Sequence, residues 1–211
     1  MNNANRIVRW RLVGAAATLL FGSVAQAQIL SIDMDPLTAG IQNTLTATVG
    51  QNINVDILLQ AGGTGISSYG VSVQFDNTEL GYLGDVELLP AGFQFNFSPG
   101  SGGLVKNVAP GVDEVKTFEA ATLANGPVNG LPFVIGTINF NVVGVADDGL
   151  ADVTPGFFVA GVDGMFDNNG AALAPVINPG YVIPEPTTVS GVVLLLGFAG
   201  FRVCRRICAA A

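Results

Sequence analysis

Carboxylates are the groups through which this chain could do chemistry. The best-placed set lies in Asp163-Gly164-Met165-Phe166-Asp167-Asn168-Asn169-Gly170. There Asp163, Asp167 and Asn169 offer oxygens of the kind that a hard cation such as Ca2+ takes. Their spacing is not that of an EF-hand, whose ligands fall at positions 1, 3 and 5 with a glutamate at 12. Asn169-Gly170 is also a hairpin-turn dipeptide, since both residues tolerate positive φ, and the turn takes precedence over the cation. Asp147, Asp148 and Asp152 form a second cluster, expected to be a solvated loop. A glycosidase needs two carboxyls facing each other at ~5–9 Å. Fifteen acids between residues 28 and 183 supply such pairs on paper, but none is marked by a dense aromatic setting. Tyr69, Tyr82, Phe93, Phe95, Phe97 and Tyr181 could serve as sugar platforms. The alternation of Phe93, Phe95 and Phe97 is expected to mean core instead. The sequon Asn96-Phe97-Ser98 is read as a chance match.

Residue types that are missing exclude more. The 211 residues include no histidine, which removes Ser-His-Asp and Cys-His catalysis, HExxH zinc sites and imidazole pH switching. The only cysteines, Cys204 and Cys208, lie among the last eight residues, so the body has no disulfide and no thiolate nucleophile. No enzyme and no cofactor are expected beyond the calcium alternative. The net charge of -8 is unevenly spread. Residues 1–27 carry +3, residues 28–183 carry -13 with Lys106 and Lys116 as their only cations, and residues 184–211 carry +2. So acidic a body is a poor ligand for phosphate backbones, and nucleic acid is set aside as a partner.

The two basic ends read as addresses. Arg6, Arg9 and Arg11 precede thirteen uncharged residues, 12–24, and then Ala25-Gln26-Ala27. A basic start, a short apolar stretch and a small-x-small site make a Sec-type signal peptide over residues 1–27, cleaved after Ala27. Thirteen residues fall short of the ~20 that span a bilayer. At the other end, Pro184-Glu185-Pro186 leads into sixteen uncharged residues, 186–201, and then Arg202, Arg205 and Arg206. A helix over about 187–203 would cross the membrane, with the arginines stopping transfer and holding the tip in the cytoplasm. The ending Cys208-Ala209-Ala210-Ala211 fits a prenylation pattern, which an exported chain contradicts. A GPI signal would not end in arginines.

Residues 184–211, with a Pro-Glu-Pro tripeptide, a short apolar helix and terminal arginines in that order, resemble the PEP-CTERM sorting signal of Gram-negative bacteria. The same tail is catalogued as the ice-binding protein C-terminal domain. The resemblance implies recognition by exosortase, a membrane cysteine protease, processing near the tripeptide, and delivery to the cell surface or extracellular matrix. Five residues follow the last arginine, where many members of the family simply end. The regular threonine repeats expected of an ice-binding face are missing.

Residues 28–183 form the body, and strand signals recur through it. Ile53, Val55, Ile57 and Leu59 alternate with more polar neighbours, as do Tyr69, Val71, Val73 and Phe75, and Ile138, Phe140 and Val142. Gly62-Gly63, Asp76-Asn77, Asn125-Gly126-Pro127, Asp147-Asp148-Gly149 and Asn168-Asn169-Gly170 mark turns between them. Residues 112–125 stay ambiguous between strand and helix. A parallel α/β fold would need crossover helices, for which there is no room, so the expected class is all-β, an antiparallel β-sandwich or jelly roll. The run Gly65-Ile66-Ser67-Ser68-Tyr69-Gly70-Val71-Ser72-Val73-Gln74-Phe75-Asp76-Asn77-Thr78-Glu79-Leu80 is similar to an early strand and bend of the cohesin module. Residues 133–142 and 165–170 resemble that family's later strand and late hairpin. The likeness implies a nine-stranded jelly roll of the carbohydrate-binding-module type, used to bind dockerins or surface partners. The expected function is therefore exported adhesion or binding, to a polysaccharide or a surface protein, after handling by the Sec machinery and exosortase. A secreted glycoside hydrolase using loop carboxylates is the alternative.

Overall fold

The computed structural model describes residues 27–97, 103–122, 131–146 and 148–185. The expected signal and membrane helices, Ala25, Pro186 and the three terminal arginines lie outside these residues. Thirteen strands run through the described part: β1 (Ile29–Asp33), β2 (Thr44–Ala47), β3 (Asn52–Gln60), β4 (Ser68–Asp76), β5 (Leu80–Glu87), β6 (Phe95–Asn96), β7 (Leu104–Ala109), β8 (Val112–Ala121), β9 (Phe133–Val142), β10 (Val153–Gly156), β11 (Gly164–Phe166), β12 (Val176–Asn178) and β13 (Tyr181–Pro184). There is no helix among them. Residues 112–121 resolve as strand β8.

The strands make two main sheets and one separate pair. The first sheet has the order β12-β1-β3-β9-β5. The second has β4 and β8 at its centre, flanked by β10 and β11 on one edge and by β6 and β7 on the other. The third pair is β13 with β2. Most neighbours are antiparallel, as expected. Two are not: β12 lies parallel to β1, and β13 parallel to β2. Both are short strands between residues 176 and 184, reached by long returns that allow a parallel register.

One apolar core lies between the two main sheets. Alternation turns Ile53, Val55, Ile57 and Leu59 of β3 inward together with Ile138, Phe140 and Val142 of β9, all at most 4% exposed. The second sheet meets them with Tyr69, Val71, Val73 and Phe75 of β4 and Val115, Phe118 and Ala120 of β8. Phe75 and Phe140 touch across the gap with ring centroids 4.9 Å apart. Burying a large apolar side chain of this kind contributes about 1.5–3 kcal/mol. This shared core makes the fold a β-sandwich.

A bulge explains the ambiguity of residues 112–121. Val73 pairs with Val115, but Val71 pairs with Phe118, so β8 carries one extra residue between them. The inward positions then run 115, 118, 120, and the first step of three mimics helical spacing.

Candidate functional site

The loop between β10 and β11 carries the expected ligand Asp163, and the structure shows what holds it. Oδ2 of Asp163 accepts from the backbone N–H groups of Phe158 and Val159, both at 2.8 Å. Its Oδ1 accepts from the Thr117 hydroxyl at 2.8 Å, and Thr117 lies 3.2 Å from the Ser72 hydroxyl. The carboxylate thus pins residues 157–163 over the outer face of the second sheet. A Cβ on Gly70 would stand 2.8 Å from the Val162 carbonyl oxygen, so the absence of a side chain there lets the loop come down.

Asp167 serves a different loop. Its Oδ1 accepts from the backbone N–H of Asn169 at 2.8 Å and of Ala171 at 2.9 Å, while the Asn169 amide reaches Oδ2 at 3.4 Å. These backbone donors hold the Asp167 carboxyl below its ordinary value. A lowered folded pKa stabilises the fold above the unfolded value, and that stabilisation is lost as pH falls through the acid range. Asp163 and Asp167 each close their own turn. Among the described residues no three Asp, Glu, His or Cys side chains converge as a metal shell.

The second expected cluster is divided. Asp148 stays exposed and caps its own turn through the Leu150 N–H at 2.8 Å. Asp152 does not: it is 4% exposed, a correction to the solvated loop expected for it. Its burial follows from its place just before β10, which pairs with β4 and bridges to Gly180 ahead of β13. Oδ2 of Asp152 accepts from the Val182 N–H at 2.5 Å. Beside it lies Glu79, also 4% exposed, whose Oε1 accepts from the Ala146 N–H and whose Oε2 has no hydrogen-bond donor. Burial, followed by the Glu79 carboxyl and the Asp76 charge, pushes Asp152 up to about 7, against a lowering by the Val182 bond. The sequence carries no sign of this pair, because 73 residues separate its members and tertiary packing alone joins them.

A third acid stands at the far end of β5. Glu87 accepts from the Glu119 N–H through Oε1 at 2.7 Å, and its Oε2 is buried and unsatisfied. Burial raises its pKa, with hydrogen bonds from Glu119 and Asn96 opposing. The hydroxyl of Tyr69, also buried without a partner, is raised by burial and by the charge of Glu87. Tyr69 packs edge-on against Phe93 at 5.1 Å, and Phe93 against Phe133 at 5.6 Å. This is the aromatic setting that the sequence did not show for any acid.

The aromatic run 93–97 needs a correction as well. Phe93 belongs to the core at 5% exposure, but Phe95 and Phe97 are 39% and 62% exposed. Their rings are stacked nearly parallel, 6.4 Å between centroids and 19° between planes. Alternation put all three on a common face only if one strand held them, and β6 contains just Phe95 and Asn96. Exposed Leu88 and Leu89 precede this segment. Of the other expected platforms, Tyr82 is partly buried and donates to Asp85, and Tyr181 is partly buried in β13. The outer face of the first sheet is polar, with Asn52 opposite Asn141, Asn54 opposite Asn139 and Asp56 opposite Thr137.

At the C-terminal limit, Pro184 is the last residue of β13 and lies opposite Ala47, while Glu185 is exposed. The first two residues of the tripeptide therefore stand at the edge of the folded body.

Comparison with known proteins adds fold neighbours only. No protein-family profile matches the sequence, and no curated protein matches it. Among solved structures it is similar to the sixth cohesin of scaffoldin B from Acetivibrio cellulolyticus, solved with a dockerin. That match has 20% identity and a TM-score of 0.46, over 75% of this chain and 99% of the cohesin. A type III cohesin from the cell-surface anchoring scaffoldin of Ruminococcus flavefaciens gives 14% and 0.46, over 77% and 89%. A non-cellulosomal cohesin from Archaeoglobus fulgidus gives 12% and 0.43, over 78% and 96%. The sandwich assignment rests on the sheets and core of this chain.

Proposed function

We propose that this protein is an exported, non-enzymatic binding module of the bacterial cell surface or extracellular matrix. It holds a neutral polysaccharide on the strip formed by Phe95 and Phe97. The observation that carries this reading is the exposed, nearly parallel pair of rings, since sugar rings stack on such faces. The ligand is neutral because fifteen acids against two lysines in residues 28–183 repel an anionic polymer. The exported protein, purified from its host, is expected to bind a neutral glycan saturably in affinity electrophoresis. Replacing Phe95 and Phe97 with alanine removes two stacking contacts of about 0.5–1.5 kcal/mol each, a loss of about 5- to 150-fold in affinity, with thermal stability little changed. Equal binding by the double variant would reject the strip.

Delivery rests on the tail. Export by the Sec machinery and processing by exosortase at Pro184-Glu185-Pro186 fit a tripeptide that begins where β13 ends. Alanine in place of all three residues is expected to leave an unprocessed precursor in the membrane fraction, read by its mass. Normal release from that variant would exclude exosortase handling.

Glu87 favours a second reading, a glycoside hydrolase, because burial raises its carboxyl as a general acid requires. Release of reducing sugar that Glu87→Gln abolishes would select the enzyme. Binding without turnover selects the module.

A further inference from the structure

Glu79 and Asp152 meet at Asp76, whose carbonyl accepts from the Glu79 N–H at 3.3 Å and whose N–H donates to the Asp152 carbonyl at 2.9 Å. Glu79 lies in the turn between β4 and β5, and its carbonyl accepts from the N–H groups of Val143 and Gly144 at 2.7 and 3.1 Å. Its Oε1 accepts from Ala146. Asp152 donates its N–H to the Gly180 carbonyl at 3.0 Å, and its own carbonyl accepts from Asp76 N–H at 2.9 Å. Its Oδ2 takes the Val182 N–H in the middle of β13. Each carboxyl therefore spends one oxygen on a backbone donor. Oε2 of Glu79 remains, buried and without a donor. Two carboxyls can hydrogen-bond one another only when one of them carries a proton.

Among the described residues, the charged groups acting on Asp152 are Glu79 and Asp76, both acids. Asp76 is itself occupied, accepting through Oδ1 from the Thr78 N–H at 2.7 Å and hydroxyl at 2.6 Å. From β13 the facing group is the neutral Val182 amide, and from the loop after β9 the neutral Ala146 amide. Asp148, on the approach to β10, is exposed and turned to its own loop. A Ca2+ ion takes six to eight oxygens, and among the described residues no three acidic side chains converge as a metal shell. A proton meets the need for neutralisation with the two carboxyls alone.

We propose that Glu79 and Asp152 share a single proton, and that this proton clasps β13 to the sandwich, so that losing it loosens the strand that carries Pro184. Two buried carboxylates without the proton repel each other, and the Ala146 and Val182 anchors are pulled apart with them. The sign follows from linkage. A carboxyl raised in the folded state holds its proton there after the unfolded chain has released it. Its stabilisation is complete below pH ~4 and is lost as pH rises to about 7. Glu87 pushes in the same direction from the other end of β5, so variants at the pair must separate the two.

The test compares the full chain with Asp152→Asn and Glu79→Gln, each of which keeps an acceptor for its backbone amide and gives a fixed donor in place of the proton. Native protein is expected to melt roughly 5 °C higher at pH 5 than at pH 8. Exchange of the Val182 amide, corrected for its intrinsic pH dependence, is expected to be about tenfold faster at pH 8. Either variant should flatten both differences and melt above the native chain at pH 8. An unchanged pH dependence in both variants would overturn the clasp. So would a native Tm at pH 8 that 1 mM CaCl2 raises and EDTA lowers, with no response in Asp152→Asn, since a cation would then occupy the pair.

Discussion

Phe118→Ala is expected to lower the unfolding free energy by about 3–5 kcal/mol, the usual cost of removing a fully buried phenylalanine. Phe118 is 0% exposed and stands on β8 opposite Gly136 of β9. A Cβ built on Gly136 would meet the Phe118 ring, 2.5 Å from Cδ1. The ring therefore occupies the space that a side chain on the facing sheet would fill, and this pairing sets the separation of the sheets at that point. Gly136→Ala alone overpacks the same spot and should cost about 1–3 kcal/mol. The two effects are coupled. In the Phe118→Ala background the added methyl enters the cavity, so the double variant should be more stable than the sum of the single losses by more than ~1 kcal/mol. Urea denaturation of the four chains measures the coupling, and simple additivity would show that the ring and the glycine do not share one space.

How much of this was legible depended on whether the information was local. Strands β3, β4 and β9 could be read because Ile53–Leu59, Tyr69–Phe75 and Ile138–Val142 alternate with the period of the pleat. The turn at Asn169-Gly170 could be read because the residue types demand it. Strand β8 was half-legible, since its bulge shifts the inward set from even alternation to 115, 118, 120. Alternation at Phe93, Phe95 and Phe97 pointed to a shared core face, but β6 holds only Phe95 and Asn96, so Phe93 is buried while Phe95 and Phe97 face solvent. Glu79 and Asp152 were invisible. Each sits among ordinary turn residues, and distant segments hold them, residues 143–146 against Glu79 and the return through Gly180 and Val182 against Asp152. The parallel pairs β1·β12 and β2·β13 belong to the same class, because register between distant segments leaves no periodic trace.

Those late strands matter because the loop that precedes them is held by one side chain. Asp163→Ala removes three hydrogen bonds at once, two of them to the backbone of Phe158 and Val159. Bonds to a charged acceptor contribute about 1.5–3 kcal/mol each, but Asp163 is only partly buried, so a total loss of about 3 kcal/mol is expected. The loss should be local first. Residues 157–163 would lift from Gly70, leaving Ser72 and Thr117 bonded to each other and newly open to water. Asp163→Asn keeps an acceptor for the two amides and should lose roughly 1 kcal/mol. Cleavage of residues 157–162 by a broad-specificity protease should accelerate in the alanine variant before global unfolding does. The same experiment decides what the carboxylate is for. A loop pin gives the same loss with calcium or with EDTA in the buffer. A loss seen only in calcium would return Asp163 to the role of cation ligand that its spacing from Asp167 and Asn169 first suggested.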